Sequence, residues 1–470
     1  MVKLILSHHL ILKVTKKTSD KLGTEKMSKL LLQQSLPASI GFLVMSFYQM
    51  VDVFFVSRYA EGEIAIAAIT VVLPITFLIS SFGMAIGVGG SSVLARALGE
   101  GDTIKAQKTF GNQIKLTVGF VLFFVLVGFV FQEQLLRVFG ANNEIIPFAK
   151  EYFNILLVGL PFLGWAMMTN NVIRTEGKPK VAMLTMIIPA VSNIILDYVL
   201  IYNFNMGITG AAIATSSGYI LSGLYTLWFF VSGRSELKLI PDDLKLDFVL
   251  IKEITSIGSI TLVRQSMFSI LAIVLYSQLN KWGLTAYENT LGQSGGSHAI
   301  AIYGLIRGFT LFVAFPIIGI MQGLMPIISY NYGAKNWQRV RHSVWLAIKW
   351  TTTISIILLT IITVFPQELI EIFTEDKDLL NHTPRVLQLI FLSLPVMGIG
   401  FIGGAFFQAI GKPIPALILT LARQGLFMIP LMYLLSNFIG LDGVWFSMPL
   451  GEILAGTWAG IWLYTRVRSL

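Results

Sequence analysis

FGANNEIIPFAKEYFNILLVGLP (139–161) aligns without a gap on FTEDKDLLNHTPRVLQLIFLSLP (373–395), 234 positions later. At the same shift Gly177-Lys178-Pro179 falls on Gly411-Lys412-Pro413, Ala65-Ile66-Ala67 on Ala299-Ile300-Ala301, and Gly99 on Gly333. Past the fifth apolar run the shift is 233, and MGITG (206–210) meets IGLDG (439–443). Before the second run it falls to 221, where Asp52 meets Ile273, because the second copy carries the longer loop GLTAYENTLGQSGGS (283–297). The chain reads as one unit used twice, so the character of that unit decides the fold.

The unit is apolar. Of 470 residues 55% are hydrophobic and 13% charged, far from the roughly 25% charged of a soluble domain. Runs of about 20 apolar residues recur throughout, each long enough to cross about 30 Å of hydrocarbon. Punctuated by Gly, Pro and charge, they predict twelve spans near 35–58, 64–94, 111–131, 146–173, 179–202, 209–232, 253–280, 298–329, 343–365, 384–410, 413–436 and 443–465. The expected fold is an all-α polytopic membrane protein of twelve transmembrane helices, built as two parallel six-helix repeats around a central cleft. A tail (1–34), an N-lobe (35–232), a linker (233–252) and a C-lobe (253–470) follow from the boundaries. An even number of spans separates each matched pair, so both copies cross the bilayer in the same sense.

The net charge of +9 does not point to nucleic acid, because Lys and Arg collect on alternate loops. They crowd Arg96–Lys108, Arg174–Lys180, Arg234–Lys252, Lys335–Arg341, Lys412 and Arg466–Arg468, whereas Glu368–Asp378 is mostly acidic. The positive-inside rule then places both termini in the cytoplasm of a multi-pass cell-membrane protein, plasma or inner. Leu4–Leu12 is followed by Lys13, Lys16 and Lys17, the wrong order for a signal peptide. The reading is a disordered cytoplasmic tail or a start ahead of Met27. With no cysteine, disulfides and thiolate chemistry are excluded. No metal spacing among the histidines and no Ser/His/Asp set argues for an enzyme, and no cofactor is implied. Gly83, Gly87, Gly89 and Gly90 lie inside a span, where close helix packing explains them better than a phosphate loop.

The exceptions to the repeat are informative. Val181–Tyr202, VAMLTMIIPAVSNIILDYVLIY, carries Asn193 and Asp197 on one helix face, one turn after Pro189. A carboxylate at membrane depth costs roughly 2.5–3.5 kcal/mol on insertion scales. Asp52 maps onto Ile273, Asn193 onto Phe427 and Asp197 onto Leu431, so packing alone does not require the polar residues. Counted from their span ends, Asp52, Asp197 and Thr215 lie about 7–9 Å below the outer surface. Two carboxylates, an amide and a hydroxyl at one level suit Na⁺ or a shared proton. They also suit side chains hydrogen-bonded for structure alone. In the second half Arg264, Arg307 and Arg423 lie mid-span with only Glu452 to oppose them. Facing the cleft, they would attract an anionic substrate such as a lipid-linked precursor; facing one another, they would be structural. Phe268, Phe312, Met321 and Phe406 are candidates for an apolar pocket or for packing.

QMVDVFFVSRY in the first span, NNVIRTEGKPKVAM between the fourth and fifth, and NIILDYVLIY followed by GITGAAIAT resemble the multidrug and toxic compound extrusion (MATE) family. The resemblance covers the chain from about Met27. It implies an antiporter, not an enzyme, in which inward Na⁺ or H⁺ drives export of lipophilic, often cationic compounds by alternating access. It places the coupling cation at Asp52, Asn193, Asp197 and Thr215, a first-helix hinge at Pro37, and cavity positions near Tyr152 and Asn170. Pro189 is the hinge suggested by the sequence itself. Its expected partners are a small organic substrate and the lipid bilayer, with no nucleic acid, and a monomer is the favoured state. Tyr198 stands where many relatives have proline, and no coupling acid lies in spans seven, eight and ten. A flippase of an anionic lipid-linked precursor is the alternative function.

Overall fold

A computed structural model describes residues 18–60, 62–238, 245–288 and 292–470. Residues 1–17 of the expected tail, 239–244 of the linker and 289–291 of the long loop lie outside the described residues. Helices form at every stretch marked by an apolar run, because a backbone in hydrocarbon must satisfy its own hydrogen bonds. They are α1 (Met27–Tyr59), α2 (Glu63–Glu100), α3 (Thr103–Val130), α4 (Ile146–Thr175), α5 (Pro179–Leu196, continued by wide π turns over Asp197–Asn203) and α6 (Gly207–Val231). Then come α7 (Phe248–Ala286), α8 (Gly295–Gly333), α9 (Trp337–Val364) and α10, in two arms, Lys377–Phe391 and Leu394–Ala409. Next is α11, Pro413–Leu421 and Ile429–Ile439 joined by π turns at Ala422–Met428, and last α12 (Leu441–Arg468).

Among the described residues nine helices are long and apolar enough to span a membrane, or ten if the two arms of α10, bent 47° apart, make one span. The Gly- and Ser-rich α6 and the charge-bearing α12 are not among them. Several helices run past the apolar limits: α1 starts at Met27 and α7 at Phe248, ahead of the expected 35 and 253. Hydropathy marks the bilayer band, not the helix end.

Local geometry recurs with the sequence repeat. Asp102 caps α3 by accepting the Lys105 N–H at 2.8 Å, and Asn336, 234 residues on, caps α9 by accepting the Arg339 N–H at 3.2 Å. The turns before α5 and α11 each place glycine at φ 73°, Gly177 and Gly411. Even where the second half has Lys335 in place of Gly101, the left-handed backbone is kept, at φ 56° and 78° respectively.

The first six helices build their own apolar clusters, as do the last six, apart from an exchange of helix starts and a small cluster of Val88 with Met321, Met325 and Ala405 between them. Met27, Leu30 and Leu31 of α1 are buried among Leu324, Ile327, Val340 and Ile402 of the second half. Reciprocally, Leu250, Ile254 and Ile257 of α7 are buried among Val93, Phe110 and Val172 of the first. Arg339 and Arg341 bind carbonyls of Leu22, Glu25 and Val467, so the chain's two described ends share one face, called here the terminal face.

The halves meet near that face. A Cβ on Gly89 would lie 2.1 Å from the Ile254 oxygen and one on Gly258 2.4 Å from that of Ala85, so α2 and α7 touch backbone to backbone. Gly99 and Gly333 do the same for α2 and α8. Arg96 adds an ion pair to Glu253 at 2.6 Å, and the Ser92 hydroxyl donates to the Gln408 carbonyl at 2.8 Å.

The expected disorder ahead of Met27 is corrected over residues 18–26. Thr18 and Ser19 donate three hydrogen bonds to the Glu236 carboxylate at 2.6–2.9 Å. Leu22 is fully buried and its carbonyl accepts from Asn331 at 2.9 Å. Beyond it the segment is already α1. The segment therefore ties the start of the linker, at Glu236, to α8 and α9. Beside it, burial pushes the Glu176 carboxyl up, partly offset by hydrogen bonds from Ser235 and Lys178.

Candidate functional site

The site is built on α5. Pro189 has no N–H to give the Thr185 carbonyl one turn back, which would leave a buried acceptor free. The Ser222 hydroxyl of α6 fills that place at 2.7 Å, fixing α6 against the break. One turn beyond Pro189 stands Asn193, and one turn further Asp197, where the α-helix gives way to π turns. Such widened turns inside a span displace the following side chains and are frequent at functional positions.

The structure gathers all four expected coupling residues. Asp197 is 0% exposed, Asn193 1% and Thr215 9%, with Asp52 of α1 half-buried beside them. The Asn193 amide donates to the Thr215 hydroxyl at 3.3 Å. The Asp52 carboxyl lies within hydrogen-bonding reach of Asp197 and Asn193. Four buried oxygens here meet no donor: Asp52 Oδ1, Asn193 Oδ1 and both of Asp197. Two carboxylates sharing a dry site repel unless a cation or a proton comes between them. The donor set is all oxygen, which is the chemistry of a hard monovalent cation or a shared proton. Among the described residues no group of three or more His, Cys, Asp or Glu could hold a metal ion.

Tyr152 is buried within hydrogen-bonding reach of Thr215, so it belongs to this cluster. Tyr48 and Tyr219 also stand close to the acids, and neither was anticipated. A signal existed: Tyr48 precedes Asp52 by four, and Tyr219 follows Thr215 by four, which puts each on the same helix face. Asn170 lies apart from the cluster. It is 18 residues, or about 27 Å along α4, from Tyr152. Its amide donates to the Ala182 carbonyl and Thr185 hydroxyl, both at 2.7 Å, and its oxygen accepts from Arg174. Pro37 is buried in α1 between Ser35 and Ser39, which press against Gly323 and Gly319 of α8. It sits at the contact between halves, 15 residues or about 22 Å from Asp52.

The MatE family profile matches residues 37–199 and 266–434, the greater part of both halves. The chain belongs to the MATE family of transporters. It is similar to "Multidrug export protein MepA" of Staphylococcus haemolyticus (strain JCSC1435), 27% identical over 439 residues and covering 93% of each chain. The backbone is similar to "Crystal structure of MATE in complex with MaD3S", with a TM-score of 0.88, 25% identity, and 97% and 99% of the two chains covered. It is also similar to "Outward-facing conformation of a multidrug resistance MATE family transporter of the MOP superfamily", at TM-score 0.86 and 25% identity, again over 97% and 99%.

In this MATE chain the second half does not copy the acidic site. Ile273, opposite Asp52 in the repeat, is 70% exposed, and Phe427 packs on Trp458. Arg423 is the arginine that pairs with Glu452, at 2.6 Å, and it lies 4.2 Å over the Phe401 ring. Arg264 donates to the Gln408 side chain at 3.1 Å and touches the Met321 sulfur. Arg307 donates to the Tyr276 hydroxyl at 3.2 Å. Of the apolar candidates, Phe406 is core and Phe312 is exposed, whereas Phe268 lines a cavity with Arg423.

Proposed function

We propose that this chain is a cation-coupled antiporter that exports lipophilic, often cationic compounds by alternating access. The carrying observation is the set of four buried oxygens without donors at Asp52, Asn193 and Asp197, on two helices of which one carries Pro189 inside it and passes into π turns at Asp197. Na⁺ or H⁺ entering there neutralises the acids and draws α1 and α5 together; its release lets them part. Because Pro189 leaves α5 one backbone hydrogen bond short on the terminal side of the site, that change tilts its outer segment and reshapes the cleft. Coupling requires the ion to bind the two access states unequally.

In this reading the twelve helices all cross the membrane and form two parallel six-helix lobes, 35–232 and 253–470, joined by the 233–252 linker. Both termini lie in the cytoplasm, as the basic loops favour, and a monomer is the working unit. The contacts between halves then close the cytoplasmic side, the arrangement of an outward-open transporter. Pro37, inside that contact, is a hinge for closure, and Tyr152 a wall of the first-half cavity, with Asn170 a more distant one. The similarity to multidrug export proteins named MepA supports the cargo class.

The test is efflux of a fluorescent organic cation from proteoliposomes, with Na⁺ and proton gradients imposed separately. One gradient should drive transport in the wild type and fail in Asp52→Asn and Asp197→Asn. Undiminished gradient-driven efflux in either variant would overturn the coupling site.

A further inference from the structure

A cavity of about 240 Å³ lies within the second half, away from the acidic cluster. Phe268, Tyr276, Tyr303, Phe391, Met397 and Met448 form its apolar walls, and Arg307, Arg423 and Glu452 its charges. A smaller space next to it, about 30 Å³, joins Arg423 to Arg264. Three guanidiniums therefore converge with one carboxylate among them.

That carboxylate is taken. Glu452 bonds Arg423 through both Nε and Nη2 at 2.6 Å. Arg307 and Arg264 make no ion pair among the described residues; their partners are the Tyr276 hydroxyl, the Gln408 amide oxygen and the Met321 sulfur, all neutral. A guanidinium at membrane depth is costly and is normally found paired or facing a polar path. Its planar fork suits a carboxylate, sulfonate or phosphate, and Arg307 is exposed, open to an anion entering the cavity. Aromatic and methionine walls suit a flat apolar body. The volume lies below the common range for drug sites, about 300–1,000 Å³. It is large enough for a two-ring body.

We infer that the second-half cavity is a subsite for a small organic anion with a flat apolar body, held chiefly by Arg307 with Arg264 behind it. The cleft is then polarised, acids in one half and arginines in the other, and the cargo extends beyond cations. The inference rests on the transport reading for its physiological role, but binding itself needs no gradient.

The experiment uses the full chain in nanodiscs of zwitterionic lipid and calorimetric titration of 2-naphthoate, 2-naphthamide and 2-naphthyltrimethylammonium. These share one ring system and differ in charge. Naphthoate should bind about 10- to 100-fold more tightly than the amide. Arg307→Gln should erase that margin, Arg307→Lys should keep part of it, and Arg307→Glu should favour the cation. Binding is read without a gradient, so loss of ion coupling and loss of this subsite read out separately. The control variant Glu371→Gln, on an exposed short helix outside both sites, should leave naphthoate affinity unchanged. Added phosphatidylglycerol should leave naphthoate affinity unchanged; competition by it would overturn the assignment to a small flat anion. Equal affinity for naphthoate and naphthamide in the wild type, or an unchanged margin in Arg307→Gln, would overturn the inference.

Discussion

Asn193 gives its amide to the Thr215 hydroxyl at 3.3 Å while its own side-chain oxygen, fully enclosed, receives no donor. The bond holds that oxygen still beside the carboxylates of Asp52 and Asp197. Thr215→Val removes the acceptor and frees the amide to turn, at a cost of about 1–3 kcal/mol for the buried donor left behind. The concentration of coupling ion giving half-maximal efflux should rise about tenfold or more, and Thr215→Ser should restore it. A merely structural threonine would lower the melting temperature and leave the ion dependence in place.

Asp197→Asn should act in opposite directions on stability and on function. The substitution keeps the shape, removes one of two neighbouring charges and supplies an N–H to oxygens that lack one. Unfolding should become harder by about 1 kcal/mol or more, a rise of a few degrees in melting temperature, while gradient-driven efflux disappears. A loss of both together would mean that the carboxylate is bonded for structure.

Ser222 closes the gap that Pro189 opens. Ser222→Ala leaves the Thr185 carbonyl buried without a donor and should cost about 1–3 kcal/mol in thermal or denaturant unfolding. In Pro189→Ala the helix supplies its own N–H, the same Ser222→Ala change should cost much less, and turnover should fall because α5 has lost its break. The double-mutant cycle measures the pairing directly.

Glu253 pairs with Arg96 across the two halves at 2.6 Å, partly in contact with solvent. Glu253→Gln should loosen the terminal-face closure by about 1 kcal/mol, near a fivefold change in the open population. Because the chain has no cysteine, a single Ser35→Cys, buried against Gly323, reports that opening through its rate of maleimide labelling. The rate should rise about fivefold in Glu253→Gln and stay unchanged in Glu371→Gln, on an exposed short helix.

Much of this was legible because hydrocarbon leaves a chain few choices. The positions of most helices follow from apolar runs punctuated by Gly, Pro and charge, α6 and α12 being the weakest of them. Three residues of the acidic cluster stood out because the second half places Ile273, Phe427 and Leu431 where the first has acid and amide. Tyr48 and Tyr219 were hidden, since an aromatic residue in a span is usually packing and only their four-residue spacing from Asp52 and Thr215 marks them. The segment at Thr18–Glu25 was illegible for another reason. Its partners, Glu236, Asn331 and Arg339, lie more than 200 residues away, and no local pattern announces such contacts. Which arginine would take Glu452 depended on side-chain reach across α11 and α12, a matter of tertiary geometry.

The exchange of helix starts bears on how such a molecule can be made. Leu30 and Leu31 complete the interior of one half while belonging to the other, and Leu250 and Ile254 return the arrangement. Cutting the chain between residues 239 and 244 would thus yield two fragments, each with a hole in its interior and a loose apolar helix start. Neither is a self-sufficient unit. Synthesised together they should reassemble, each plugging the other, whereas either one made alone should fall to proteolysis.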